Sequence, residues 1–165
     1  MNIQTERLLL RPFSEEDKSE IISLLTDAVF MAYSPNGAMT YPEAEIRYRQ
    51  FTGYQDSEIG KLAVVEKISG SLIGYCGVEP FNYHGEAHIE LGYRLAASAR
   101  GNGYALEASE AILESLKQKG HTLVLALTHT DNLASHHILQ KLGFKQRDKG
   151  SFQGMPVQFY ELELA

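Results

Sequence analysis

Apolar and polar positions change their period several times along the chain, and each change marks an element. From Arg7 to Phe13 a short apolar run, Leu8-Leu9-Leu10, is closed by Pro12 and Ser14, which predicts a strand. Ser14-Glu15-Glu16-Asp17 then reads as a helix start, with a capping residue and an acidic first turn. Ile21, Ile22, Leu24 and Leu25 give that helix an apolar face. A second start, Thr40-Tyr41-Pro42-Glu43, carries proline at the first helical position, where no N–H is needed. Between the two lies a loop, Phe30 to Met39, with large side chains at Met31 and Tyr33 beside Pro35 and Gly37. Such residues in a loop either plug a core or line a pocket.

Leu62 to Lys67 and Leu72 to Val78 read as a hairpin about Ser69-Gly70. Asn82-Tyr83-His84-Gly85 is the next turn. The strand after it, Glu86 to Leu95, alternates sharply. Ala87, Ile89, Leu91, Tyr93 and Leu95 share one face; Glu86, His88, Glu90, Gly92 and Arg94 share the other. Gly103 to Lys119 is a helix by the spacing of Ala105, Ala108, Ile112 and Leu116, with Gly120 just past its end. Thr122 to Thr130 is apolar on both faces, the mark of a central strand covered on two sides. Asn132 to Leu142 is a helix closed by Gly143, and Phe144 to Lys149 and Met155 to Leu164 are two terminal strands. The order β-α-α-β-β-β-α-β-α-β-β predicts a mixed α/β sheet in a single domain over residues 1–165.

Composition narrows the function classes. The 165 residues carry a formal charge of −6, which argues against non-specific nucleic-acid binding and suits a cationic acceptor. Cys76 is the single cysteine, so neither an intrachain disulfide nor a cysteine-rich zinc site is expected. It sits in the apolar run Leu72 to Val78 and reads as a buried thiol. No apolar run approaches the length of a membrane span. The N-terminus, Met1 to Arg7, lacks the pattern of a secretory leader. The expectation is a cytoplasmic protein, with no membrane partner and no metal, acting as a monomer or homodimer.

The densest chemical signal is Arg100-Gly101-Asn102-Gly103-Tyr104-Ala105, a glycine-rich turn between a strand and a helix. Free N–H groups and the positive end of the helix dipole attract a phosphate there. Gly101 and Gly103 let an anion approach the backbone, and Arg100 adds a fixed charge. The turn lacks the Gly-Lys-Ser/Thr end of a Walker loop. Leu106 stands where a dinucleotide fingerprint needs glycine or alanine. His88 and Glu90, two apart on the polar face of the preceding strand, point to one cleft or to solvent. In a cleft, a half-buried carboxylate serves as a general base.

Arg100-x-x-Gly103-x-Ala105 resembles the cofactor motif of the GNAT superfamily of acetyl-CoA-dependent N-acetyltransferases. Glu90-Leu91-Gly92-Tyr93, and Asn132-x-x-Ser135 running to Lys141-Leu142-Gly143-Phe144, resemble the RimJ/RimL branch of ribosomal-protein N-terminal acetyltransferases, as does Thr5-Glu6-Arg7-Leu8-Leu9-Leu10-Arg11-Pro12. Arg94 and Ala99 stand where that branch usually has tryptophan, and the stretch Ala28 to Tyr54 matches no part of the pattern. The resemblance implies a GNAT fold: one mostly antiparallel sheet of about seven strands, splayed in the middle, with about four helices.

It also implies roles. Arg100, Gly101, Asn102, Gly103, Tyr104 and Ala105 would hold the pyrophosphate of acetyl-CoA. The backbone of Tyr93, Arg94 and Leu95, with Asn132, would bond the pantetheine arm. Ser135 would meet the thioester sulfur and protonate the departing thiolate, and Leu139 stands where many relatives place a tyrosine for that task. Glu90 would take the proton of the attacking amine, and Tyr33, His88 and Glu90 would face the acceptor. The implied reaction is transfer of acetyl to a primary amine, of a peptide N-terminus or of a small molecule, by direct attack in a ternary complex. A coenzyme A-binding sensor without catalysis is the rival from another class.

Overall fold

The computed structural model describes residues 2–54 and 59–164; Met1 of the N-terminal segment and Ala165 at the end of the expected domain lie outside them. Among the described residues eight strands form one sheet in the order β1-β2-β3-β4-β5-β6-β8-β7. They are β1 (Ile3–Gln4), β2 (Leu8–Arg11), β3 (Gly60–Glu66), β4 (Leu72–Tyr83), β5 (Glu86–Leu95), β6 (Leu123–His129), β7 (Lys145–Phe152) and β8 (Met155–Glu163). The helices are α1 (Lys18–Leu25), α2 (Tyr41–Thr52), α3 (Tyr104–Gln118) and α4 (Leu133–Lys141). This is the mixed α/β GNAT fold expected from the resemblance, with one strand more than expected. The addition is β1, two residues paired antiparallel on β2, too short to show a period.

The helices cover both faces of the sheet. On one, Ala105, Ala108, Ile112 and Leu116 of α3 pack with Leu139 of α4 against Leu8, Leu10, Val64, Cys76, Leu91 and Val124. On the other, Ile21, Ile22 and Leu25 of α1 and Tyr48 and Phe51 of α2 pack against Ala63 and Tyr75. The loop between α1 and α2 both plugs this core, through Phe30 and Met31, and lines the cleft described below. Cys76 is 1% exposed, and burial pushes its thiol up to about 11, as an inert core group.

β4 runs five residues beyond the expected end at Val78. It pairs with β5 as far as Tyr83↔Glu86, leaving a two-residue turn at His84-Gly85. Pro80 lies inside the β4–β5 ladder, opposite Ile89.

Pairing across the middle of the sheet is sparse. β5 and β6 run parallel and pair only at Glu90↔Leu125 and Leu91↔Ala126. Beyond Leu91 the two strands separate, which leaves the edge of β5 from Gly92 to Leu95 without a β6 partner.

At the start of α1, Asp17 locks the chain. Its carboxylate accepts two bonds from Arg11, at 2.7 and 2.8 Å, and one from the Ser14 amide at 2.9 Å. Burial alone would raise this carboxyl, but those donors outweigh it and hold it below the ordinary aspartate range. A lowered carboxylate contributes stability above its unfolded pKa of about 3.9, and loses it as pH falls through the folded value. Asp17→Ala should cost about 3 kcal/mol near neutral pH by urea denaturation, with the deficit shrinking in acid.

Candidate active site

A cleft of roughly 1150 Å³ runs from the Arg100–Ala105 turn, past the opening between β5 and β6, to Phe81, Phe152 and Met155. The turn forms its first wall. Gly103 caps α3 with φ 79°, a left-handed conformation that glycine adopts without strain, and Gly101 has the same φ. The first amides of α3 have no intrahelical acceptor and face this end. A Cβ built on Gly101 would meet nothing within 4 Å, so the space above it is open. Asn102 turns its amide onto the Ala99 carbonyl at 3.1 Å. The Tyr104 ring is buried, with its hydroxyl on Glu66 at 2.7 Å.

The two arginines expected at the cofactor do something else with their side chains. Arg100 donates to the carbonyls of Leu95 at 3.1 Å and Val29 at 3.0 Å. Arg94 donates to Phe30 at 3.1 Å, to Ala32 at 2.7 Å and to the Tyr75 hydroxyl at 3.2 Å. Both guanidinium groups therefore clamp the loop between α1 and α2 onto β5. Arg100 lines the cleft while its guanidinium is engaged by these carbonyls. The cation beside the turn is Arg7, which sequence reading passed over. It lies over the Tyr104 ring at 4.5 Å and bonds Glu107 at 2.7 Å. Its Nη2 is 3.5 Å from where a Gly103 Cβ would be.

Opposite the turn, Asn132 caps α4 by accepting from the Ser135 amide at 3.3 Å. Ser135 is half-buried, and its Oγ is 3.0 Å from the Tyr93 hydroxyl. Burial pushes that phenol up against the pull of the Ser135 bond, so it stays a neutral donor or acceptor. Leu139 is buried in the core, one turn further on, and supplies no polar group. Tyr93 thus brings from β5 the hydroxyl that the helix lacks. Leu95 is buried, with its carbonyl taken by Arg100.

The far half of the cleft has a charged floor. Glu90 lies opposite Glu79 in the β4–β5 register. Arg47 of α2 grips Glu79 with two bonds, at 2.7 and 2.9 Å. Lys61 lies 3.6 Å from the same carboxylate and donates to the Gly77 carbonyl at 3.0 Å. Burial raises the Glu90 carboxyl above the ordinary range, with Lys61 and Arg47 opposing and Glu79 adding. Arg47, Lys61 and Glu79 were not found in the sequence. None belongs to a local motif, and two strands and a helix bring them together.

Tyr33 and His129 meet across the cleft with ring centroids 5.1 Å apart. Tyr33 has φ 62°, a strained state for a tyrosine, and is 47% exposed. His129 Nδ1 accepts from the Asp131 amide at 2.9 Å, which leaves Nε2 as the free ring nitrogen. His88 does not share the cleft with Glu90. It lies on the same strand face two residues farther out, its ring against Tyr83 and its Nε2 3.5 Å from Glu86. Among the described residues no cluster could hold a metal ion, and no helix is long and apolar enough to cross a membrane.

The acetyltransferase (GNAT) domain family matches residues 7–145. The chain belongs to the GNAT family. It is similar to the uncharacterized N-acetyltransferase YnaD of Bacillus subtilis (strain 168), with 29% identity over 147 residues, 88% of this chain and 84% of that protein. A GNAT-family acetyltransferase from Bacillus anthracis superposes with a TM-score of 0.82 at 22% identity, covering 99% of both chains. The ribosomal L7/L12 alpha-N-protein acetyltransferase RimL, solved with coenzyme A, superposes at 0.78 with 17% identity, over 99% of this chain and 98% of that one. This GNAT protein is an acetyl-CoA-dependent N-acetyltransferase, which sets aside the non-catalytic sensor.

The Arg94 clamp makes a checkable statement about this site. Arg94→Ala removes three hydrogen bonds, each contributing about 1 kcal/mol. Backbone amides of residues 30–39 should then exchange with deuterium at least tenfold faster, while those of α3 hold. Unchanged exchange would remove the clamp.

Proposed function

We propose that residues 1–165 act as one catalytic domain, moving acetyl from acetyl-CoA to the N-terminal amine of a peptide, as in the RimJ/RimL branch. The observation that carries this reading is the cleft itself. It joins an anion-binding helix start to a half-buried carboxylate through the gap where β5 and β6 part.

In this reading the turn from Arg100 to Ala105 receives the pyrophosphate through backbone N–H groups, and Arg7 supplies the charge that Arg100 spends on the loop. The pantetheine arm lies along the edge of β5 that lacks a β6 partner, from Gly92 to Leu95, beside Asn132. Glu90 accepts the proton of the amine as the nitrogen attacks the acetyl carbonyl. An N–H of β5 receives the developing oxyanion. Coenzyme A then leaves as a thiolate. A thiol pKa of about 8.5 makes that departure tolerable, and Ser135, hydrogen-bonded to Tyr93, donates the proton. Binding both reactants in one cleft supplies the orientation.

The continuation of the cleft past Glu90, to Phe81, Phe152 and Met155, supports a peptide. The Tyr33–His129 bridge favours a second reading, a small primary amine that fits beneath it. Thiol release from acetyl-CoA across N-terminal peptides and small amines decides between them. Turnover restricted to free amino acids or polyamines would overturn the peptide reading.

Two substitutions test the roles. In the free protein a Cβ at Gly103 meets just the Arg7 guanidinium, at 3.5 Å. Gly103→Ala should therefore fold, yet lower coenzyme A affinity at least tenfold in calorimetry, because the methyl group and the strained φ disturb the phosphate cradle. Glu90→Gln keeps the shape and removes the proton acceptor. It should cut kcat/KM by about 10²–10⁴ and abolish the acidic limb of the pH profile, with coenzyme A affinity intact. In the wild type that limb lies above the usual glutamate range, since Glu90 must be ionised to act and burial raises it.

A further inference from the structure

Lys61 is 4% exposed, on β3 opposite Gly77 of β4, and lines the floor of the cleft. Lysine is seldom buried so far without a partner, because a desolvated cation is costly. Its ion pair is with Glu79, at 3.6 Å. Arg47 already holds Glu79 with two shorter bonds, at 2.7 and 2.9 Å. One carboxylate is thus flanked by two cations, and the floor is one negative charge short unless Glu90 completes it. Arg47 and Lys61 against Glu79 and Glu90 is a balanced set.

Gly92 shows how close the groups come. A Cβ built there would stand 2.5 Å from Lys61 Nζ and 3.3 Å from Glu90 Oε1. The ammonium and the carboxylate therefore converge on the space that glycine leaves open. The glycine of the Glu90-Leu91-Gly92-Tyr93 stretch makes room for a buried cation from the strand two places away in the sheet.

We propose that Lys61 is a positioning residue for Glu90: lodged above Gly92, it keeps that carboxylate turned into the cleft and ready to accept a proton. This rests on Glu90 being the proton acceptor. Two like charges opposite each other on neighbouring strands repel, and Glu79 faces Glu90 directly. Lys61 offsets that repulsion. It also resets the site. When Glu90 Oε takes the proton from the amine nitrogen, the floor passes from balanced to one positive charge in excess. Lys61 then favours release of that proton to water before the next turnover. The charged groups that act on Glu90 are Lys61 from β3, Glu79 from β4 and Arg47 from α2, and Tyr54, Tyr75 and His129 line the same cleft. Lys61 and Glu79 act on the Glu90 carboxyl in opposite senses, lowering and raising it.

The test reads Glu90 directly and needs no acceptor. Protein labelled with 13C at the glutamate carboxyl is titrated by NMR, and the Glu90 signal is identified by its loss in Glu90→Gln. Lys61→Met should move the Glu90 midpoint to higher pH, and Glu79→Gln should move it to lower pH. Gly92→Ala, whose methyl group displaces the ammonium, should move it as Lys61→Met does. A general loosening of the floor would shift all three the same way. If Lys61→Met fails to fold, the opposite movements of Glu79→Gln and Gly92→Ala decide. An unmoved midpoint in Lys61→Met, or like movement in Glu79→Gln and Gly92→Ala, overturns the proposal. An active Glu90→Gln with the shifts intact would instead overturn the base assignment and leave the Lys61 contact standing.

Discussion

Everything in this site follows from the place where β5 and β6 stop pairing. A parallel pair makes evenly spaced hydrogen bonds as long as the strands stay in register. Here the register covers Glu90↔Leu125 and Leu91↔Ala126 and then ends. Residues Gly92 to Leu95 keep their bonds to β4 on one side and offer the other edge to the gap. Backbone groups in a covered sheet demand partners. The gap is thus a place that an extended, hydrogen-bonding molecule completes, which is the shape the proposed role gives the pantetheine arm. The same parting lets the polar face of β5 look into a cleft where a closed sheet would press it against neighbours.

Most elements were legible because they depend on local pattern. The period of α3, the two-sided apolar run of β6 and the glycine turn between β5 and α3 all repeat within a dozen residues. The expectations that missed depended on distant neighbours. Val78 reads as the end of β4, yet the strand continues because β5 pairs with it as far as Tyr83↔Glu86. Arg100 beside two glycines suggests an anion site. Its guanidinium also binds the carbonyl of Val29, seventy-one positions away in sequence, a contact that no local pattern shows. His88 and Glu90 share a face by parity, but a cleft has an end, and the aromatic cluster about Tyr83 takes His88 out of it. Lys61, Arg47 and Glu79 carried no local signal, since each reads as an ordinary surface charge until the sheet assembles.

Arg94 ties the legible part to the illegible one. The resemblance marked it as a departure, a cation where the branch usually has tryptophan. The loop between α1 and α2 was the stretch that matched no pattern. The structure joins these two facts, because Arg94 binds the carbonyls of Phe30 and Ala32. A tryptophan could pack against the loop but could not satisfy its carbonyl oxygens, having a single N–H to donate. An arginine with five donors can. The unusual residue and the unusual loop therefore belong to one arrangement.

That arrangement has a consequence for how the two halves of the cleft communicate. Arg94 belongs to the β5 edge proposed for the pantetheine arm, and Arg100 opens the proposed cofactor turn. Both hold the loop that carries Met31, Tyr33 and Met39 into the acceptor half. Tyr33 keeps a left-handed backbone there and rests on His129 at the end of β6, across the gap. A strained residue persists only where its surroundings over-determine it. The surroundings here are the arginine clamps on one side and an imidazole on the other. A ligand that orders β5 and the turn would therefore also fix the wall against which the amine is placed. The proposed cofactor and acceptor sites therefore share one mechanical unit, held by Arg94 and Arg100.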